Sequence, residues 1–357
     1  MKTHRILGMM SGTSLDGLDL ALAELSRDGD HWEYRLLATR GLPYGSDLRG
    51  RLEASIGWTA PDLLAFHAEY GTWLGRQARQ FLDQTGLQAD AVASHGHTVH
   101  HRPGRGFTFQ LGCPQRLALA CRLPVVGDFR SLDIALGGQG APLVPIGDRL
   151  LFGQYDFCLN LGGISNISFE RDDRRIAFDI GIANMLLNPL SRKAGKDYDA
   201  GGVLARSGKI LPDLLQALDA LPYYRQPFPK STGYEWFASE IRPLLEARPD
   251  RPENLLRTAT EHIAGQIAAQ VAHLSAGATA RVLVTGGGAF NTFLMELLGQ
   301  KSGARVSWVV PEGELVNYKE ALVFALLGAL RLEEETNVLA SVTGASRDSC
   351  SGVVYLP

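Results

Sequence analysis

Three short apolar runs in this chain each stop at a cluster of glycines: residues 5–10 lead into SGTSLDG, 157–161 into GGISN and 282–285 into GGGAFN. Apolar runs of this length ended by glycine read as buried strands closing in tight turns. After the first two turns a strand pattern resumes, over 18–25 and 167–169. After the third, Phe293, Leu294, Leu297 and Leu298 recur at helical spacing, so that turn joins a strand to a helix. Further helical periodicity covers 61–85, 254–275 and 319–332, and the mixture predicts an α/β protein. The two strand-turn-strand units suggest similarly built halves. The Gly- and Pro-rich crossing GGQGAPLVP divides them into residues 1–145 and 146–357, with the C-terminal segment free to pack back on the first half. The stretch 222–233, with three prolines, reads as an ordered loop.

A chain of 357 residues with 45% hydrophobic content is long enough for two cores. Its 35 Lys plus Arg against 38 Asp plus Glu make a near-balanced field, which excludes strong attraction to nucleic acid or to an anionic membrane and favours a small, specifically held ligand. Cys113, Cys121, Cys158 and Cys350 are too scattered for a zinc ribbon or a disulfide framework. No apolar run reaches signal-peptide or membrane-span length, and the expected location is cytoplasmic.

Glycine turns let successive backbone N–H groups approach an anion. In the first turn Ser11, Thr13 and Ser14 add hydroxyl donors, and Asp16 and Asp19 are placed to hold Mg²⁺ directly or through water. The Lys-Ser or Lys-Thr close of a Walker loop is absent. Asp179 interrupts the apolar run 176–180 just before Gly181. It is either a desolvated strand-end base or an acceptor for turn N–H groups. Asp128 and Arg130 follow the apolar strand LPVVG and read either as sugar-binding groups or as an internal ion pair. Glu320 opens an apolar helix, where a charge near the N-terminus is stabilised. His95, His97, His100 and His101 lack the spacing of a zinc site on a helix, so His95 is read as a hydrogen-bonding group. Lys230 either reaches substrate or is an exposed loop lysine.

The segments GMMSGTSLDGLD, SHGHTVHH, VVGDFRSLDIALGGQGAPLVP, LNLGGISNIS, PKSTGYEWF, VTGGGAFN, KEALVFALLG and SVTGA occur in that order. This series resembles that of the 1,6-anhydro-N-acetylmuramic acid kinases. The resemblance implies a two-domain actin/hexokinase-like ATPase fold with the nucleotide in the inter-domain cleft. It implies ATP and Mg²⁺ as cofactors, an amino-sugar substrate, a homodimer, and a role in cell-wall peptidoglycan recycling. It assigns the nucleotide to Gly12, Thr13, Ser14, Leu15, Asp16, Gly17, Leu18 and Asp19, with Gly162, Gly163, Gly286, Gly287, Gly288 and Asn291, and the metal to Asp16. The acid that activates water falls on Asp179, and the sugar on Ser11, His95, Asp128, Arg130, Asn184 and Glu320.

One segment departs from the family pattern. Where the family carries Thr, Pro, Gly and a later Asp around its acid, this chain has Ile180, Ile182, Ala183 and Asn188, keeping Asp179, Gly181 and Asn184. The expectation is a more apolar acceptor pocket. That leaves two alternatives open, a kinase for a different sugar or a non-catalytic ATP-binding regulator.

Overall fold

The structure, a computed structural model, describes residues 2–12, 15–29 and 31–357. The chain forms two compact α/β units, one of Met1–Leu151 with Tyr318–Pro357 and the other of Phe152–Asn317.

The first unit begins with β1 (Lys2–Ser11), β2 (Gly17–Asp28) and β3 (His31–Pro43), an antiparallel meander in register Ser11↔Leu18 and Leu18↔Leu42. On the other side of β1 the sheet turns parallel: β4 (Ala91–Arg102) pairs with it, and β6 (Val125–Gly127) pairs with β4. Strand β5 (Phe107–Leu111) returns antiparallel on the end of β4. Ile6, Leu7 and Met9 have no solvent exposure. A strand covered on both faces needs such a continuous apolar run and not an alternating one. The Ala60–Thr85 helix packs its Phe66, Tyr70 and Leu74 against β1 and β2 residues. Its ends carry local signals: Thr59 accepts the Asp62 N–H at the start, and Gly86 closes the helix with φ +67°.

The second unit centres on β7 (Phe157–Leu161), β8 (Ile164–Arg171) and β9 (Arg174–Ile182), again an antiparallel meander. Strands β10 (Ala280–Thr285) and β11 (Val306–Val309) extend it in parallel from β7. The Pro252–Leu274 helix packs on β9 and on the Asn184–Lys193, Pro212–Asp219 and Thr292–Ser302 helices, and so forms the spine of this unit.

The chain re-enters the first unit at Tyr318, inside the Gly313–Leu332 helix, and ends with β12 (Val353–Tyr355) paired to β6. The division therefore lies at Leu151/Phe152 and not at 145/146, and residues 318–357 are not part of the second unit. The reason is packing. A Cβ at Gly8 of β1 would sit 1.8 Å from the Ala321 carbonyl oxygen, and one at Gly328 would sit 2.6 Å from Ala93 Cβ, so the helix lies directly on the first sheet. Asn337 then donates to the Leu327 and Ser351 carbonyls and accepts the Ser351 N–H, fixing the last segment.

Candidate functional site

In the first unit the β1–β2 turn brings carboxylates near the end of the sheet. Thr13 and Ser14 lie outside the described residues. Leu15 takes φ +59° and its N–H reaches the Gly12 carbonyl at 3.4 Å. Asp16 is exposed and Asp19 half-buried. Burial, then Glu320, then Asp16 push the Asp19 carboxyl up to about 6. Glu320 still reaches solvent, but the protein packed around it raises its carboxyl, with Lys319 and Arg130 opposing. Leu18 is a core residue, 1% exposed, and offers no side chain to a ligand.

Ser11, expected as a sugar contact, is engaged within its own unit. It is 1% exposed, and its Oγ receives the hydroxyls of Tyr44 at 2.7 Å and Tyr70 at 3.1 Å and lies 3.4 Å from His97 Nδ1. Burial pushes His97 down to about 4, opposed by a hydrogen bond to the Gly12 backbone. This hydroxyl network underpins the turn from below and leaves Ser11 no hydroxyl facing outward.

His95 is held as a neutral acceptor. Burial, then the Arg130 charge, push it down to about 3. Its Nδ1 donates to the Gly96 carbonyl at 2.8 Å, so Nε2 receives Arg130 Nε at 3.1 Å and Nη2 at 2.8 Å. Arg130 Nη1 also donates to the Gly140 carbonyl. Burial brings the guanidinium down to about 10, with Glu320 and Asp133 opposing. Asp128, at φ +58°, does not pair with Arg130; its Oδ1 accepts the Ser131 N–H at 3.3 Å and Oγ–H at 2.6 Å, closing a local turn. Asp133, which sequence reasoning passed over, is fully buried and accepts from Gly140 N at 2.7 Å and Thr343 Oγ1 at 2.6 Å. Its signal was a lone carboxylate inside SLDIALGG.

In the second unit Asp179 stands near the end of β9. Asn166 faces it, Ser165 faces Gly181, and Ile180 is the extra residue of a bulge between them. Bulges beside functional groups re-aim a side chain. Asp179 Oδ2 accepts Ser231 Oγ–H at 2.9 Å and Thr232 N–H at 3.0 Å, while Oδ1 has no hydrogen bond among the described residues. The Asp179 N–H donates to the Lys230 carbonyl at 3.1 Å, and its own carbonyl accepts the Tyr223 hydroxyl at 2.7 Å. Burial raises the carboxyl above its ordinary range, with Thr232 and Ser231 opposing. Thr232 Oγ1 is buried with no partner among the described residues. Lys230 is turned inward: its Nζ donates to the Tyr223 carbonyl at 3.1 Å and lies 4.7 Å from the centre of that ring.

Three of the four departures noted in the sequence do not alter an exposed face, Ala183 being 1% exposed in the same core as the two isoleucines. Ile180 and Ile182 are each 2% exposed and belong to the unit's apolar core, so they enlarge that core and do not line the Asp179 side of the strand.

The glycine turns of this unit are interlocked. The carbonyls of Gly162 and Gly163 accept the N–H groups of Ala183, Asn184 and Met185, occupying the start of the Asn184–Lys193 helix. Asn184 Nδ2 donates to the Leu161 carbonyl at 3.3 Å. Gly286 takes φ +83°, and a Cβ there would meet Asn160 Oδ1 at 2.5 Å. Asn160, a lone polar residue in LNLGG, is thus a second position missed in the sequence. Asn291 caps the Thr292–Ser302 helix by accepting the Leu294 N–H at 3.0 Å, so its side chain is a structural group. Gly287 is exposed with open space around it.

Among the described residues no group of three or more His, Cys, Asp or Glu is arranged to hold a metal ion, and no helix is long and apolar enough to cross a membrane.

The chain is thus a two-unit α/β protein with its charged and glycine-rich groups gathered at strand ends. It belongs to the anhydro-N-acetylmuramic acid kinase family, whose model matches residues 4–357. The anhydro-N-acetylmuramic acid kinase of Pseudomonas putida is 41% identical over 98% of this chain and 98% of its own. The kinase of the same name from Gloeobacter violaceus is 38% identical over 98% of both chains, and that of Vibrio vulnificus 36% identical over 98% of this chain and 97% of its own. A ROK hexokinase from Thermus thermophilus is similar in structure with TM-score 0.38 and 16% identity, over 91% of this chain and 99% of that one.

Proposed function

We propose that this protein is an ATP-dependent kinase that opens 1,6-anhydro-N-acetylmuramic acid with water and phosphorylates O6, giving N-acetylmuramic acid 6-phosphate in peptidoglycan recycling. Family membership over nearly the whole chain supports the substrate, and the single observation that carries the mechanism is the half-tethered carboxylate of Asp179. Its Oδ2 is fixed by Ser231 and Thr232, which leaves Oδ1 to take a proton from water. That water adds to C1, the C1–O6 bond breaks, and O6 takes the γ-phosphoryl group of ATP, with ADP as the leaving group. A carboxyl raised by burial is a stronger base than an exposed one and suits this step.

The residues present fit the cofactors. ATP supplies the phosphoryl group, and Mg²⁺ supplies positive charge against the phosphates. Asp16 and Asp19 would hold the cation, since Asp19 is raised first by burial and then by the neighbouring charges of Glu320 and Asp16, which a divalent ion would offset. Gly12, Leu15 and Gly17, with Thr13 and Ser14, would follow the phosphates, and Gly162, Gly163 and the Gly286–Gly287–Gly288 loop, which is open at Gly287, would take the rest of the nucleotide. Arg130, oriented by His95, and Glu320 would bind the sugar. Ser11, Asp128, Asn184 and Asn291 act as supports for these groups, since each commits a side-chain atom to a hydrogen bond within its own unit. We place the enzyme in the cytoplasm, as a homodimer.

Turnover in ¹⁸O-labelled water tests the reading. Label is expected at C1 of the 6-phosphate product, and a product without it rules out hydrolytic opening. The core location of Ile180 and Ile182 removes the ground those two positions offered for another acceptor.

A further inference from the structure

Behind the bulge that carries Asp179 stands a chain of polar groups that runs from the half-buried Tyr224 through the buried His262 to Asp219 at the surface. Tyr224 lies against Gly181, two residues beyond Asp179: a Cβ at 181 would come within 2.6 Å of Tyr224 Cε1 and 3.0 Å of its hydroxyl oxygen. Glycine at 181 is what lets the ring approach the strand this closely. The Tyr224 hydroxyl lies 2.9 Å from His262 Nε2, and His262 Nδ1 lies 2.6 Å from Asp219 Oδ1, which also accepts Gln266 Nε2 at 3.0 Å. Asp219 can only accept, so Nδ1 carries a proton, and in the neutral imidazole Nε2 then receives the tyrosine hydroxyl. The two rings meet edge to face, centroids 4.8 Å apart and planes at 77°.

The neighbouring Tyr223 completes the link to the carboxylate. Its hydroxyl donates to the Asp179 carbonyl at 2.7 Å, and Trp236 packs against both tyrosines, 4.8 Å from Tyr223 and 5.9 Å from Tyr224. One tyrosine therefore holds the backbone of Asp179, and the next fills the space over Gly181 and is anchored through His262 to the Pro212–Asp219 and Pro252–Leu274 helices. A phenylalanine at 224 and an aliphatic residue at 262 would fill the same volume without the cost of burying polar groups. A directional chain of hydrogen bonds adds what apolar packing does not, a single orientation.

We propose that Asp219, His262 and Tyr224 form a positioning relay that fixes the β9 bulge and so aims the Asp179 carboxylate, with none of the three touching substrate. The proposal rests on the reading of Asp179 as the base.

The test compares the full-length wild type with Tyr224→Phe, His262→Gln, the double variant and Asp219→Asn. Tyr224→Phe keeps the ring and its packing and removes only the hydroxyl. It is expected to lower kcat about 10- to 100-fold, the scale of a small misplacement of a reacting group, and to leave KM for ATP within about 2-fold. The double variant should be no slower than the slower single variant, because both cut one chain. Asp219→Asn, which can still accept the Nδ1 proton through its amide oxygen, should retain most of the activity. A Tyr224→Phe enzyme with kcat within about 2-fold of wild type and only a lowered Tm overturns the relay, since that is what a purely structural role gives. Crystal structures of the wild type and Tyr224→Phe decide the same point without turnover. A shift of the Asp179 carboxyl beyond about 0.5 Å, the tolerance of a working site, supports the relay, and an unmoved carboxyl refutes it. A wild type that does not turn over the anhydro-sugar removes the functional reading, and the carboxyl position then decides the relay alone.

Discussion

Replacing Asp179 by Asn separates chemistry from folding. The amide can keep the hydrogen bonds from Ser231 Oγ and Thr232 N on one oxygen, so the loop 230–232 has no reason to move. What is lost is the ability to take a proton from water, and loss of a general base costs about 10²- to 10⁴-fold in kcat. Stability should move the other way. Burial raises the folded carboxyl above the unfolded one, so as pH rises the unfolded chain ionises first. Asp179 then lowers stability progressively from the ordinary aspartate range up through its folded pKa. The neutral amide removes that cost, and Tm at pH 7 should stay level or rise, as at other sites where function opposes stability. The assay pairs steady-state kinetics with calorimetric ATP binding and thermal melting. A kcat within about 10-fold of wild type refutes the base assignment, and loss of ATP affinity or a Tm well below wild type refutes the geometry behind it.

The wild-type pH profile of kcat/KM should have an acid limb above the ordinary aspartate range, and Ser231→Ala, which removes one of the two hydrogen bonds holding Asp179 down, should move that limb upward. Gly8→Ala places a Cβ 1.8 Å from the Ala321 carbonyl oxygen and 2.8 Å from the Ala325 nitrogen, where backbone meets backbone. It should destabilise the first unit by about 1–3 kcal/mol or more, read as a Tm loss of roughly 2–4 °C per kcal/mol. Arg130→Lys cannot reproduce the paired contact of Nε and Nη2 on His95. It should raise the acceptor KM about 10-fold, the loss of one good hydrogen bond, with the ATP KM unchanged.

How much of this was open to a reader of the sequence depends on the range over which each feature is encoded. The strands before the glycine turns and the helix ends at Thr59 and Gly86 are written within a few residues of where they act. The Gly313–Leu332 helix starts six residues earlier than its periodicity suggested. It is buried almost all round from Ala321 to Leu330, so no polar face marks its frame. Asp179 was visible as a lone carboxylate before a glycine, but its bulge was not, because the extra residue exists only relative to β8. Ser11 and Asp128 looked like ligands because hydroxyls and carboxylates near glycines do, and only the fold showed Tyr44, Tyr70 and Ser131 already bound to them.

By itself, then, the sequence determined the α/β class, the family, the strand-end turns and the candidate base, all of which depend on spacing, turn chemistry or ordered motifs along the chain. The tertiary structure alone decided that residues 318–357 return to the first sheet, that Ile180 and Ile182 are core, and that Asp219, His262 and Tyr224 join behind Asp179. Those outcomes depend on which distant surfaces bury one another best. His262 and Asp219 are 43 positions apart and Thr343 and Asp133 are 210 apart, separations at which no local pattern specifies a partner.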